Sequence, residues 1–176
     1  MYGVNNKGAM SLLLITLLCL ASSSCKGQNV DNSTVKSLDL DAYLGTWYEI
    51  ARFDHVFERG LTHAMARYTL NEDGTIVVMN SGLKDGKDKA SKGKAKVTDT
   101  PGLLRVSFFG PFYSDYRVML LAEDYSYAIV GSGSSKFLWI LSRTPKMSGD
   151  VLDKILTEAS NRGYDTDQLV WVDHSR

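Results

Sequence analysis

The side chains in this sequence that could do chemistry are two cysteines, three histidines, one carboxylate set in an apolar run, a scatter of tyrosines and a serine-rich turn. Cys19 lies inside an apolar stretch near the start, so Cys25 stands alone beyond it and a processed chain has no partner for a disulfide. His55, His63 and His174 have no metal-ligand spacing among themselves or to a cysteine. A serine nucleophile needs a base and an orienting acid, and no Gly-x-Ser-x-Gly elbow is present. Gly131-Ser132-Gly133-Ser134-Ser135-Lys136 has the small residues of a phosphate cradle, but it lies between two strand-like runs and opens no helix, so it reads as a hairpin turn. Glu49 sits in an apolar strand, where burial raises a carboxyl pKa and keeps proton chemistry open. Pairing with a basic side chain near the barrel floor is the plainer expectation. No catalytic residue, metal or cofactor is assigned.

The elements that must position these groups follow from composition and periodicity. At 176 residues with 44% hydrophobic content, the chain suits one domain with a real core. Lys plus Arg equals Asp plus Glu at 20 each, so no global field favours nucleic acid, which is not an expected partner. Residues 1–24 read as a lipoprotein signal peptide: Lys7 precedes an apolar run from Leu12 to Ala21 that is too short to span a bilayer as a mature helix. Ala21-Ser22-Ser23-Ser24-Cys25 resembles the lipobox cut by the bacterial lipoprotein signal peptidase, although Ser22 stands where leucine is usual. Cys25 is thus the expected site of lipid attachment, with residues 25–37 as lipidated cysteine and flexible tether and 38–176 as the folded domain.

From Leu38 onward, short runs rich in Val, Ile, Tyr, Phe and Thr alternate with Gly, Asn, Asp and Pro signals. The pattern predicts strands at 46–54, 62–71, 75–81, 90–98, 103–109, 115–122, 126–131 and 136–142. Several are apolar on both faces, which suits a barrel with something packed outside it. Ser148 to Arg162 supplies that piece, an amphipathic helix with Ser148 as N-cap and Gly163 at a left-handed C-terminus. Leu169 to Val172 then makes a short final strand. The expected fold is all-β: an eight-stranded antiparallel up-and-down β-barrel with a C-terminal α-helix packed outside.

Three blocks carry a resemblance to a known family: Gly45-x-Trp47 on the first strand, Asp124-Tyr125 before the seventh, and Arg143 after the eighth. In this order and spacing they resemble the signature of the lipocalins. The stretches 45–54, 107–113 and 138–145 look more narrowly like the bacterial lipocalins, which are outer-membrane lipoproteins. The resemblance implies a calyx with a floor made by Gly45, Trp47 and Arg143, the guanidinium lying across the indole. Taking Trp47 as inward, it implies ligand contacts from Ala64, Ala66 and Tyr68 on the second strand and Ile76, Val78 and Asn80 on the third. Tyr116, Val118 and Leu120 follow on the sixth strand, Tyr127 and Ile129 on the seventh, and Phe137, Trp139 and Leu141 on the eighth. Phe109, Phe112 and Tyr113 are expected at the mouth, beside Lys84, Lys87 and Lys89.

The resemblance therefore implies a lipid-binding lipoprotein that holds a fatty acid, lysophospholipid or similar amphiphile in the barrel for storage, transport or membrane maintenance. It would be anchored at the outer membrane of a bacterial envelope through acylated Cys25. A homodimer is left open. Two other readings stand beside it: a lipid-modifying enzyme using Glu49 or Tyr116, and a barrel packed solid whose mouth serves as an interaction module.

Overall fold

The computed structural model describes residues 29–175. The expected leader and Cys25 lie outside the described residues. Eight strands, β1 (Gly45–Phe53), β2 (Thr62–Leu70), β3 (Ile76–Lys84), β4 (Lys87–Val97), β5 (Leu103–Phe109), β6 (Phe112–Leu121), β7 (Tyr127–Gly131) and β8 (Leu138–Ser142), pair each with the next. β1 pairs antiparallel with both β8 and β2, which closes the sheet into a barrel and removes its edges. β1 meets β2 only along Gly45–Tyr48; its second half pairs with β9 (Leu169–Trp171) instead.

The strand boundaries differ from expectation mainly at one end. β3 and β4 run on to a two-residue turn at Asp85-Gly86, where φ is 53° and 70°. Two successive positive φ values are those of the tight turn that matches strand twist, and they tolerate Asp-Gly well. The interval 82–89 between the expected third and fourth strands is therefore strand for most of its length. β6 likewise starts at Phe112, leaving only Gly110-Pro111 between it and β5.

Two apolar layers result. The first gathers Trp47, Tyr68, Val78, Ala95, Leu104, Val118, Val130 and Leu141, one from each strand around the ring, and so forms the barrel interior. The second joins Phe53, Met119, Ile129 and Ile140 to Ile155 and Ala159 of α2 (Gly149–Asn161), and so forms the outer wall under the helix. Ser148 precedes α2 in extended conformation, but its side chain makes no capping bond. Gly163 ends the helix at φ +88°, as the left-handed C-terminus requires.

The floor is built before the first strand. Asp39 accepts bonds from the amides of Asp41 and Ala42 and starts α1 (Leu40–Tyr43), a single turn that drops Tyr43 into the core. The Trp47 indole N–H donates to Tyr43 O at 2.8 Å. The Arg143 guanidinium lies 3.8 Å from the Trp47 ring centre and donates to the carbonyls of Ala42, Tyr43, Thr46 and Tyr125. One planar cation thus ties the segment before β1, β1 itself and the β6–β7 turn to the end of β8. Gly45 is required by its φ of +93° rather than by crowding, since a Cβ there would sit 3.5 Å from Arg143 Nη1.

Residues 29–37, expected as a free tether, are fastened to the barrel wall. Asp31 N donates to Arg162 O, Asn32 Nδ2 to Ser132 O and Val35 N to Val118 O, while Arg162 donates back to Ser33 O. Replacing Arg143 with Met should remove the cation over the indole and its carbonyl bonds together. Urea unfolding is expected to show a loss of about 2–4 kcal/mol from these contributions, with the effect of Trp47→Phe less than additive to it.

Candidate functional site

The barrel interior is mainly apolar, with tyrosine hydroxyls toward the floor and charged groups toward the mouth. Tyr68, Ile76, Val78, Val118 and Leu141 are buried in the inner layer, with Ala66, Tyr116 and Trp139 packed against it, as expected. Ala64 is buried beside Gly82, where any Cβ on residue 82 would meet the Thr62 carbonyl at 2.9 Å. Asn80 pairs with Ala66 on one side and Ser91 on the other, which puts it on the inner face; its Oδ1 is buried without a partner among the described residues.

Leu120, Tyr127 and Ile129 are not on that face. They pack in the outer layer against the helix, and this corrects the inward orientation expected for them. A bulge in β6 is the cause: Val118 pairs with Val130 and Leu120 with Ile129, so Met119 is an extra residue and the alternation slips by one. On β7 the inward residues are Ala128 and Val130. Ala95, Leu104, Val106 and Phe108 also belong to the inner wall, on two strands from which no contact was expected. Their signal was present in β4, where exposed Lys92, Lys94 and Lys96 alternate with Ser91, Gly93 and Ala95.

A second bulge creates the charged part of the site. Glu49 pairs with Leu141 and Ala51 with Ile140, leaving Ile50 as the extra residue, so that Glu49 and Arg52 both point inward although they are three residues apart. Their side chains meet at 2.6 Å with almost no exposure. Glu49 is thus paired within its own strand, on the mouth side of Trp47, rather than by a base at the floor. The β1–β2 loop closes over this pair. Arg52 donates to Glu58 O at 2.6 Å, and the Trp139 indole N–H donates to Glu58 Oε2 at 3.1 Å. His55 stacks on Phe137 at 4.6 Å between ring centres and lies 5.2 Å from both Trp139 and Phe57. Arg52 Nε and His55 Nε2 are buried with no partner among the described residues.

Below this cluster three phenols form a chain. Tyr68 donates to Tyr116 Oη at 2.9 Å, and the Tyr43 and Tyr116 hydroxyls lie 2.7 Å apart. Burial raises all three pKa values, that of Tyr68 to about 12, so they act as neutral hydroxyls. Burial also raises Glu49, to about 8, with the nearby Glu58 carboxyl pushing the same way and Arg52 opposing. Glu58 is raised by burial too, while burial lowers His55. Glu49 meets the Arg52 guanidinium directly and Glu58 only through its main-chain carbonyl, and two carboxyls this close in a desolvated space oppose each other's ionisation. At the rim, Phe109 and Phe112 are exposed and Tyr113 is half-buried beneath the ammonium groups of Lys94 and Lys96, 5.6 and 5.2 Å from its ring centre. The expected site residues at 109, 112 and 113 thus lie outside the inner wall.

A raised carboxyl pKa gives stability that is complete below the unfolded value, 4.5 for Glu49, and is lost as pH rises toward about 8. Thermal midpoints should therefore fall across that range in the wild type and less so in Glu49→Gln. Glu58→Gln should also flatten the decline, because it removes the second carboxyl. The difference between wild type and variant isolates this pair from His55, whose lowered pKa acts in the opposite direction below its ordinary value.

Comparison with known proteins agrees with this architecture. The family model described as a lipocalin-like domain matches residues 38–174. The outer membrane lipoprotein Blc of Vibrio cholerae is 42% identical over 168 residues, covering 93% of this chain and 98% of that protein. The protein of the same name from Escherichia coli K12 is also 42% identical, covering 93% of each chain. Temperature-induced lipocalin-1 of Arabidopsis thaliana is 36% identical and covers 77% of this chain and 78% of its own. Among solved structures, insecticyanin of the tobacco hornworm superposes with a TM-score of 0.70 at 24% identity, over 85% of this chain and 88% of that one, a likeness of fold alone. A closed eight-stranded calyx with Trp47 and Arg143 at its floor, matched by that family model over residues 38–174, makes this chain a member of the lipocalin family.

Proposed function

We propose that this lipocalin carries an amphiphile of the fatty acid or lysophospholipid class, at a bacterial outer membrane to which acylated Cys25 anchors it. The observation that carries the reading is an apolar inner wall with polar atoms that lack partners: of the four such buried atoms among the described residues, Arg52 Nε, His55 Nε2 and Asn80 Oδ1 lie on or beside that wall. Buried polar groups in folded proteins are almost always satisfied, so three orphans on or beside the inner wall of one barrel fit a guest that brings polar atoms with it. An acyl tail would pass among Val78, Val118, Val130 and Leu141. About fourteen buried methylenes would contribute up to about 11 kcal/mol before ordering costs, which leaves room for micromolar binding or better.

The names of the bacterial relatives support the location, since those proteins are called outer membrane lipoproteins. No chemical step is required of the site: Glu49 is held by Arg52, and the tyrosine hydroxyls hydrogen-bond to one another.

Native mass spectrometry and displacement of a fluorescent fatty acid test the reading. Uptake of acyl amphiphiles is expected in the wild type. Val78→Trp, which fills the inner wall, should lower affinity at least about tenfold, the factor that corresponds to 1.4 kcal/mol. Tyr127→Phe, on the outer wall, should bind as the wild type does. Absence of uptake by the wild type would overturn the proposal.

A further inference from the structure

The two ends of this barrel differ in kind, although the chain as a whole carries no net charge. In an up-and-down barrel alternate turns lie together, so the turns at 71–75, 98–102 and 122–126 share the closed end with Trp47. Those three turns hold Glu72, Asp73, Asp99, Glu123 and Asp124 and no lysine or arginine. Lysines gather at the mouth instead. Lys84, Lys87 and Lys89 flank the Asp85-Gly86 turn and Lys136 lies in the β7–β8 loop, set against Asp85 and Asp88. Among the other mouth acids Asp54 pairs with Arg59 at 2.6 Å and Glu58 is buried, while Asp165 shares a cleft with Lys136, so the lysine excess belongs to the β3–β4 tip.

Apolar exposure follows the same polarity. The four most exposed large hydrophobic side chains among the described residues are Phe109, Val56, Phe112 and Phe57, 68–81% exposed, and all four lie at the mouth. They occupy two separate loops. In the β1–β2 loop, His55 and Glu58 turn inward to hold it, and that same turn forces Val56 and Phe57 outward. Lysines stand beside both tips: Lys94 Nζ would lie 3.9 Å from a Cβ on Gly110, and the Lys84 side chain 4.0 Å from one on Gly60.

The path of the chain before β1 gives an independent indication. Val30 lines a cleft with Phe53, Asp54, Ser135 and Lys136, all at the mouth end, and the chain then descends through Val35 to Leu38 at the closed end. Cys25 precedes Asn29 by four residues, a reach of at most about 14 Å. A lipid on Cys25 would therefore hold the mouth, not the floor, against the bilayer.

From these three features we infer that the mouth is itself a membrane-docking face: the tips at Val56–Phe57 and Phe109–Phe112 enter an anionic lipid surface, with the surrounding lysines over its head groups. The occupant is a phospholipid bilayer. A flat array of acyl chains under negative head groups matches two apolar tips ringed by ammonium groups, and the acidic closed end is repelled from it. The barrel then opens directly onto lipid. The inference rests on the acylation of Cys25 only for the tether; the charge and exposure stand without it.

The full chain, processed in a bacterial host, tests this in vesicles of phosphatidylethanolamine and phosphatidylglycerol containing brominated acyl chains. Phe57→Trp and Phe112→Trp report from the two tips, and Val97→Trp reports from the opposite end, each read against the native tryptophan background. Quenching several-fold greater at 57 and 112 than at 97 is expected, weakening when phosphatidylcholine replaces the anionic lipid. Equal quenching at the three positions, or the strongest at 97, overturns the docking; quenching insensitive to lipid charge overturns the role of the lysines. Amphiphile uptake measured on the same samples separates this inference from the carrier reading, since loss of tip quenching with uptake intact sinks the docking alone.

Discussion

A guanidinium seated on an indole is the contact from which the architecture of this protein is organised. Sheets of eight strands close only if the first strand finds the last, and local strand preference does not enforce that meeting. Here Arg143, just past β8, lies across Trp47 of β1 and donates to carbonyls on both sides of it. The cation faces a ring and several backbone acceptors, which replace its water without a buried counter-ion. Closure at the floor leaves the other end to be roofed by the β1–β2 loop through Glu58 and His55.

Strand irregularities then set what the interior is made of. Without the slip at Ile50, Arg52 would point outward with Ala51's neighbours on the helix side, and Glu49 would be a lone carboxyl among aromatics. With it, both charges enter the barrel as a pair. The bulge at Met119 does the converse, sending a leucine and the paired residues of β7 to the outer wall, where α2 covers them. One bulge makes the lumen more polar and the other makes the outer wall more apolar, so the same device supports both a buried ion pair and the packing of the helix.

Much of this was legible in the residues. The strand count, the meander and the outer helix follow from alternation and turn chemistry, and the Gly45, Trp47 and Arg143 blocks pointed to a floor that the structure contains. Inner positions on β2, β3 and β8 were readable because Trp47 fixed the parity and the pairing there carries it across. On β6 and β7 parity failed for Leu120, Tyr127 and Ile129, since strands apolar on both faces leave no mark of a one-residue slip. The β4 and β5 lining is hard to see in the sequence because its inward residues are small or sit between conspicuous lysines and aromatics. Fastening of residues 29–37 gave no periodic signal, as it depends on isolated bonds to Arg162, Ser132 and Val118.

By itself, then, the chain dictates what is local: which stretches are strands, where they turn, which end of the barrel carries acids and which lysines, and that one cation is available to meet one indole. Hydrophobic alternation and turn residues act over a few positions and need no knowledge of the rest. Only the tertiary structure decides which wall a residue faces beyond a bulge, that Glu58 and His55 pull a loop across the mouth, and that Val30 lies beside that mouth. Each of these is a pairing between segments distant in sequence, settled when the closed sheet brings them together.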